Sequence, residues 1–199
     1  MQHIRTEIGL CGTYFRCLDG LGSAAAAAGI IELGRYRLGP DRLLVLRGFA
    51  SPAARQRGWT AFHASEAWGR HRSAVTDAVR SSETMLLGCI APEGGIGRPR
   101  PDEPITAFCS ELREPEGLGD YHLWLRLLLR KAGCASLGTL ATLEVVNDVP
   151  AVPVVGDRCQ HIVLIRGAAA VPSLPDELRA MLRFAPEVLR LEPVLTPVA

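Results

Sequence analysis

The chain contains two segments that resemble each other, and this internal similarity limits the folds it can adopt. AGIIELG at residues 28–34 matches AGCASLG at 132–138, an offset of 104 residues (132 − 28). DRLLVLRG at 41–48 resembles DRCQHIVLIRG at 157–167. Each copy then ends on an acidic residue, an apolar run and a proline, in ETMLLGCIAP and in EVLRLEP. Matches that recur in the same order predict a duplicated unit of about 90 residues.

The first copy predicts the element order β-α-β-β-α-β. HIRTEI alternates as a strand does, and Thr13 and Gly29 have the positions of a helix N-cap and of the glycine that ends a helix. IIELGRYRL, a GPD turn and RLLVLRGF predict a hairpin. Ser51 followed by Pro52 predicts a helix start, a second helix begins after Ser65, and TMLLGCI predicts the last strand. This order is that of a ferredoxin-like unit.

The second copy predicts the same order, with a helix from an Asp120 cap to Gly133 and a short helix near LPDELRAML. We therefore predict an α+β fold of two tandem ferredoxin-like units, at residues 1–92 and 104–199, joined by a glycine- and proline-rich linker at 93–103. Each unit has an antiparallel sheet with helices on one face. Two such units can pack their other faces together.

Charge and cysteine usage exclude several classes of protein. The 22 basic and 21 acidic residues leave a net charge of +1, which argues against binding of nucleic acid or of an anionic membrane. AAAAAGII at 24–31 is too short to cross a bilayer, so we expect a cytoplasmic protein. The six cysteines form no CxxC pair and lie in apolar segments, so we expect reduced core residues and no metal site.

Motifs for several kinds of chemistry are missing from the sequence. It contains no G-x-G-x-x-G after a strand, no P-loop, no G-x-S-x-G elbow and no H-E-x-x-H. These absences argue against nucleotide-driven chemistry, serine hydrolysis and zinc proteolysis.

One region resembles the NIPSNAP family. LVLRGF at 44–49, the W-G-R-H-R segment at 68–72 and the apolar run TMLL are similar to the signature region of that family, and the likeness is strongest from residue 43 to 90. The resemblance implies the dimeric α/β-barrel superfamily, which includes heme-degrading and cofactor-independent oxygenases, isomerases, dehydratases and members without a known reaction. The sequence departs from the family in SAVTDAV, where members have an Ala/Asn-rich run.

The W-G-R-H-R segment supplies the first candidate site. Trp68, His71, Arg72 and Val75 follow a helical spacing and share one face. In the catalytic interpretation, His71 moves a proton, Arg72 holds an anion and Trp68 shapes an apolar cavity. In the structural interpretation, Trp68 is a packing anchor and His71 bridges helix and sheet. The second copy lacks this stripe, which favours a function in the first half.

Further candidates lie on the predicted strands and on other helices of the first copy. Arg47 and Arg166 lie at the ends of equivalent strands. They either meet a shared requirement of the fold, such as pairing with Asp41 and Asp157, or Arg47 binds a ligand. His3 shares a strand face with Arg5. Three aromatic residues line the same space as the site in the catalytic interpretation and belong to core or rim in the other: Tyr14, Tyr36 and Trp59.

The helix DYHLWLRLLLRKAG at 120–133 is apolar around more than one face. This pattern predicts cover on two sides and therefore a subunit interface, so we expect a homodimer. We interpret His122 as a boundary residue and His161 as a strand residue without a metal role.

We predict a small-molecule-binding enzyme that acts on an organic metabolite by proton transfer, cyclisation or oxygenation, without a tightly bound cofactor. Bacterial natural-product metabolism would fit such an enzyme. Two alternatives stay open: a non-catalytic NIPSNAP-like binding or scaffold protein, and a heme-binding or heme-modifying protein. Fold-level analogy does not choose among them.

Overall fold

The computed structural model of the chain describes residues 1–90, 100, 102–144, 147, 149, 152, 154–167 and 169–194. The chain divides into two compact units. The first comprises Met1–Met85, Val145–Val155 and Val194–Ala199, and the second comprises Leu86–Glu144 and Gly156–Pro193. The linker predicted at 93–103 lies largely outside the described residues.

The first unit has the predicted β-α-β-β-α-β order, with its second helical segment broken in two. Its elements are β1 Gln2–Thr6, α1 Cys11–Ala27, β2 Ile31–Arg37, β3 Arg42–Gly48, α2 Pro52–His63, α3 Glu66–Ala78 and β4 Val79–Thr84. The strands are antiparallel neighbours in the order β4-β1-β3-β2. The last strand of this unit is Val79–Thr84; the segment TMLLGCI does contain a strand, at Leu87–Cys89, but this strand pairs within the second unit.

The second unit repeats the arrangement and adds a strand at its edge. Its elements are β5 Leu87–Cys89, β6 Ile105–Leu112, a 3-10 turn at Pro115–Gly117, α4 Leu118–Lys131, β7 Ser136–Thr142, β8 Cys159–Arg166, α5 Asp176–Ala180 and β9 Glu187–Pro193. The strand order is β9-β6-β8-β7-β5. β5 pairs antiparallel with β7, with Leu87–Cys89 opposite Leu140–Thr142. We had assigned this segment to the first unit.

Local sequence signals at the helix ends were partly confirmed. The Ser51 hydroxyl accepts a hydrogen bond from the Ala54 amide at 3.1 Å, and the Ser65 hydroxyl accepts one from the Trp68 amide at 3.2 Å, so both predicted helix starts are correct. Gly29 ends α1 with a φ of 74°.

Two predicted caps were wrong. α1 begins at Cys11, so Thr13 lies inside its first turn, where its hydroxyl accepts a hydrogen bond from Arg16. α4 begins at Leu118, and Asp120 lies in its first turn instead of capping it. An acidic side chain there still interacts favourably with the positive end of the helix dipole.

Each sheet packs one face against its helices. In the first unit, Ile4, Leu43 and Val45 pack against α1. In the second unit, Phe108, Val163 and Ile165 pack against Tyr121, Leu125 and Leu129 of α4. Side chains alternate between the two faces of a strand, so these contacts fix which neighbouring residues face the helices.

Three further features of the structure concern membrane-spanning helices, disulfides and metal ligands. Within the described ranges, no helix has the length and apolar character needed to cross a membrane. All six cysteines are free thiols; Cys11 and Cys17 are buried, whereas Cys89 is exposed. The described residues contain no group of three or more metal-ligating side chains.

Candidate functional site

His71 and Arg72 lie on α3, where the predicted stripe packs against α1. His71 is half-buried, and its imidazole lies against the backbone of α1 at Gly20: a β-carbon at Gly20 would be 2.6 Å from His71 Nε2. Arg72 is exposed. The close approach depends on a glycine, since any larger residue on α1 would displace the ring. The structure therefore places His71 in a helix–helix contact.

Trp59 and Trp68 form an aromatic cluster with Phe62 and His63, the last two residues of α2. The His63 ring stacks on Trp59, with centroids 5.4 Å apart, and lies 5.1 Å from the Trp68 ring. Phe62 contacts both indoles. Burial, and then the charge of Arg72, lowers the pKa of His63. This cluster packs with Ile30 and the alanines of α1, as the structural interpretation of Trp68 requires.

Arg47 meets Tyr14 and Trp59 between the first sheet and its helices. Its guanidinium donates to Gln2 Oε1 at 2.6 Å and lies 5.3 Å from the centre of the Trp59 ring. It also hydrogen-bonds the buried Tyr14 hydroxyl, which counteracts the rise in the pKa of Tyr14 caused by burial. Arg47 thus joins two predicted ligand residues through hydrogen-bonding and cation–π contacts.

His3 and Tyr36 lie on the opposite face of the same sheet. Both are in register with Leu44, whose side chain points away from Leu43 and Val45 and so away from the helices. The Tyr36 hydroxyl lies over Gly34, where a β-carbon would be 2.5 Å away. The prediction that Tyr36 shares a space with Tyr14 and Trp59 was wrong, because strand alternation separates them.

Arg166 has a different environment from Arg47. It donates to Glu103 Oε2 at 2.7 Å on the surface of the second unit. The two equivalent arginines thus have different hydrogen-bond acceptors, Gln2 for Arg47 and Glu103 for Arg166.

The second unit contains a cleft of about 620 Å³ between α4 and β7, which we call the α4 cleft. Five apolar side chains line it: Leu123, Leu127, Leu129, Leu137 and Val163. Five polar side chains join them: His122, Arg126, Arg130, Ser136 and Thr139. Cys134 and Gly138 complete the lining. None of the site residues predicted from the sequence lines the α4 cleft.

The position of the α4 cleft explains the wide apolar circumference of α4. Tyr121, Leu125 and Leu129 fill the core of the unit, whereas Leu123 and Leu127 remain 53% and 48% exposed at the cleft. Trp124 is 59% exposed and lies outside the cleft lining. One apolar side of α4 therefore lines the α4 cleft and does not pack in the core.

A pair of histidines connects the α4 cleft to the core. His122 Nδ1 lies 3.1 Å from Nε2 of His161, which is fully buried on β8. Burial, with the neighbouring His122, lowers the pKa of His161 to about 3. The Tyr121 ring packs edge-on against His161 at 5.3 Å, and the Tyr121 hydroxyl shares a 2.7 Å hydrogen bond with Ser110. A neutral imidazole on the buried side thus fixes the ring that lines the cleft.

Sequence reasoning missed this pair because it treated each histidine separately. His122 and His161 are 39 residues apart and meet only through the packing of α4 on β8. The available signal was alternation: His161, Val163 and Ile165 share a strand face, and that face had to be covered by a helix.

Comparison with solved structures identifies the fold. A crystal structure named "putative monooxygenase" from Lactobacillus acidophilus NCFM matches with a TM-score of 0.60 at 10% identity, over 96% of this chain and 90% of that one. One with the same description from Fusobacterium nucleatum matches with a TM-score of 0.56 at 7% identity, over 96% and 89%. An anthrone oxidase-like protein matches with a TM-score of 0.58 at 14% identity, over 97% and 89%.

No protein-family model and no curated protein matches the sequence. At these identities the structural likeness shows the fold, which is the predicted α+β fold of the dimeric α/β-barrel type with tandem ferredoxin-like units.

Proposed function

We propose that this protein is a small-molecule enzyme that binds a mostly apolar organic molecule in the α4 cleft and acts on it by oxygenation or proton transfer, without a tightly held cofactor. One observation carries the proposal: a cleft of about 620 Å³ has apolar walls and a histidine whose orientation is fixed from behind. Small-molecule sites have this composition, with a few polar groups in a largely apolar cavity.

The names of the structural neighbours support oxygen chemistry. Two are described as putative monooxygenases and one as anthrone oxidase-like. A polycyclic ketone or phenol suits the α4 cleft, since Leu123, Leu127 and Leu137 would cover its rings. Arg126 and Arg130 lie one turn apart on α4 and would stabilise an anion formed when such a substrate loses a proton.

The proposal moves the site from the first half of the chain to the second. His71 as an acid or base, with Arg72 as its partner, stays a prediction. Its packing against Gly20 favours a structural role instead. One set of variants distinguishes a site in the α4 cleft from a site at His71.

Leu127→Glu is the decisive variant, because it puts a charge into an apolar wall at a half-exposed position where the fold tolerates it. Trp124→Glu is the matched control: it makes the same change on the same helix, at an exposed residue that does not line the cleft. Oxygen uptake and product formation with anthrone as the probe should fall at least about tenfold in Leu127→Glu and stay unchanged in Trp124→Glu.

His71→Ala completes the set. Unchanged turnover with a lowered melting temperature supports the proposal. Lost turnover in His71→Ala at unchanged melting temperature, with Leu127→Glu fully active, would return the site to α3. No turnover of anthrone by the wild type, together with no binding, would remove the enzyme proposal for this substrate class.

A non-catalytic binding or scaffold role, such as the NIPSNAP resemblance suggests, is the second candidate. The observation that favours it is the exposure of three large apolar residues on one helix: Leu123, Trp124 and Leu127. This role predicts that Trp124→Glu abolishes self-association or partner binding. Sedimentation velocity of the wild type and of this variant tests the homodimer directly.

A further inference from the structure

We propose that the Thr139 hydroxyl, at the floor of the α4 cleft, binds a neutral oxygen of the ligand, a ketone or a hydroxyl group, so that the ligand enters the cleft with this oxygen first. This inference rests on the proposed function in one respect: the α4 cleft must bind a small molecule. It adds the residue that orients the ligand and the functional group that this residue selects.

Burial divides the lining of the α4 cleft into a floor and a rim. The floor consists of the five lining residues that are buried: Leu129, Leu137, Gly138, Thr139 and Val163. The rim consists of the half-buried and exposed ones, including Leu123 and Leu127. Thr139 is 5% exposed, and among the described residues of the lining its side chain is the one polar group of the floor.

The register of the sheet determines where the Thr139 side chain points. Thr139 of β7 lies opposite Val163 of β8, and Val163 packs against α4. Residues that are directly opposite on neighbouring strands have their side chains on the same face of the sheet. The Thr139 side chain therefore faces α4 across the cleft.

The hydroxyl of Thr139 has no partner in the part of the chain that the structure describes, and its oxygen is open to the cleft. Thr142, on the same strand, is different: its hydroxyl accepts from the Gln160 amide at 2.9 Å and donates to the Arg158 carbonyl at 2.8 Å. A polar group that loses water without gaining a partner costs free energy. A ligand that displaces water from the floor must therefore supply a partner for Thr139.

The first unit provides such a partner from the protein itself. Arg35 and Asp19 lie 104 residues before Thr139 and Leu123 (139 − 35 and 123 − 19), and the Arg35 side chain reaches from β2 to the Asp19 carboxylate on α1. Leu123 has no hydrogen-bonding group on its side chain. In the second unit, the helix position that would answer the polar strand residue is therefore apolar, which leaves this role to the ligand.

The charges around the cleft favour a neutral ligand oxygen at Thr139. The two arginines of the lining, Arg126 and Arg130, are exposed and belong to the rim. A carboxylate or a phosphate at the floor would lose its hydration without a cation beside it. A ketone or a hydroxyl group loses less, and a threonine hydroxyl is able to donate to either one. The apolar rings of such a ligand then contact Leu123 and Leu127 at the rim.

The role of Thr139 is measured on the full-length protein with two probes of matched shape, 1-tetralone and tetralin, which differ by a ketone oxygen. Shifts of the backbone amides of α4 and β7 give the affinity for each probe. Thr139→Val keeps the shape of the side chain and removes the hydroxyl, so the ratio of the 1-tetralone affinity to the tetralin affinity should fall about fivefold or more. The affinity for tetralin should not decrease, because this probe no longer covers an unpaired hydroxyl.

Two further variants separate the hydrogen bond from a general effect on packing. Thr139→Ser keeps the hydroxyl and should keep the wild-type ratio of affinities. Thr142→Val makes the same change on the same strand, at a residue outside the cleft lining, and should also keep it. A fall in the ratio that is as large in Thr142→Val as in Thr139→Val would overturn the proposal.

The orientation of bound 1-tetralone is measured in the wild type by intermolecular nuclear Overhauser effects. With the oxygen at Thr139, the methylene beside the ketone should lie near the methyl groups of Leu137 and Val163, and the aromatic hydrogens farthest from the ketone near those of Leu123 and Leu127. The opposite pattern would overturn the proposal.

The outcomes distinguish this inference from the proposed function. If both probes bind and their affinity ratio is the same in wild type and Thr139→Val, Thr139 does not bind the ketone, and the α4 cleft remains a binding site. Amide shifts for neither probe in the wild type would overturn both.

Discussion

The two units have the same backbone plan between helix and sheet but fill that space differently. Gly29 and Gly133, 104 residues apart (133 − 29), end α1 and α4 with φ values of 74° and 75°. The neighbouring strands carry a register shift at equivalent places, between Glu32 and Gly34 in β2 and between Ser136 and Gly138 in β7. The connection from the helix to the following strand therefore has the same backbone conformation at these positions in both units.

The side chains at two equivalent positions differ. In the first unit Arg35 is buried and spans from β2 to Asp19 on α1, and it also contacts Glu32 at 2.7 Å. The residues 104 positions later are Thr139 and Leu123, and both line the α4 cleft. In the first unit, the ion-paired Arg35 side chain thus fills the space between helix and sheet. In the second unit, the equivalent space is the α4 cleft.

This difference bears on the sequence argument that placed the function in the first half. The stripe of Trp68 and His71 occurs only in the first copy, and that asymmetry favoured a function there. In the structure, the extra residues of the first copy form α2 and α3, whose aromatic side chains pack against α1. Among the described residues between β8 and β9, the second unit has the five-residue helix α5 in the corresponding place.

Removal of the filling side chain should have the largest effect. Arg35→Ala leaves Asp19 and Glu32 without their shared partner and opens a cavity, so we expect the free energy of unfolding to fall by about 3–5 kcal/mol. Thr139→Ala, the equivalent change in the second unit, should alter it by less than about 1 kcal/mol, since that side chain faces a cleft. Urea unfolding measures both. Equal losses would show that the two spaces are filled alike.

The histidine pair should give the second largest effect, as a dependence of stability on pH. The pKa of His161 is about 3 in the folded protein and close to 6.5 when unfolded, so the unfolded chain binds the proton first. The contribution of neutral His161 to the free energy of unfolding is therefore fully present above pH 6.5. It is lost as the pH decreases toward 3, by up to about 1.4 kcal/mol per pH unit.

His161→Phe removes this titration while the carboxylates of the chain still titrate. The difference in unfolding free energy between wild type and variant should shrink by about 2 kcal/mol between pH 6.5 and 5. Parallel profiles for the two proteins would mean that His161 is protonated in the folded state as easily as in the unfolded one.

The contact between Gly20 and His71 should give a smaller, conditional effect. Gly20→Ala puts a methyl group 2.6 Å from His71 Nε2, so we expect a loss of about 1–2 kcal/mol. In a His71→Ala background the same change should instead stabilise α1 by about 1 kcal/mol, the usual gain of alanine over glycine in a helix.

Gly22→Ala is the control, because a β-carbon at that residue of α1 meets nothing within 4 Å. It should stabilise both backgrounds equally. A Gly20→Ala effect that does not depend on His71 would show that the imidazole does not pack against α1, and would restore His71 as a candidate acid or base.

Structural features that depend on residues close together in the chain were predictable from the sequence, whereas those that depend on distant residues were not. The helix start at Ser51 and the helix end at Gly29 depend on neighbouring residues, and both were predicted. The His122–His161 pair and the Arg35–Asp19 pair depend on which face of which strand a helix covers. That placement is set by packing of the whole unit, so the residues of the candidate site were missed although the fold was predicted correctly.

The matched glycines should give the smallest effect, and they test whether the two backbones are as alike as the register shifts indicate. Gly29→Ala and Gly133→Ala both force a side chain into the left-handed region, and a β-carbon at either site meets nothing within 4 Å, so only backbone strain contributes. Each change should lower the free energy of unfolding by about 1 kcal/mol, and the two values should agree. Thermal and urea unfolding of the two single variants measures this. A loss at Gly133 well above that at Gly29 would mean that the end of α4, beside Cys134 in the cleft wall, is held more rigidly than its counterpart, as a preorganised binding site requires.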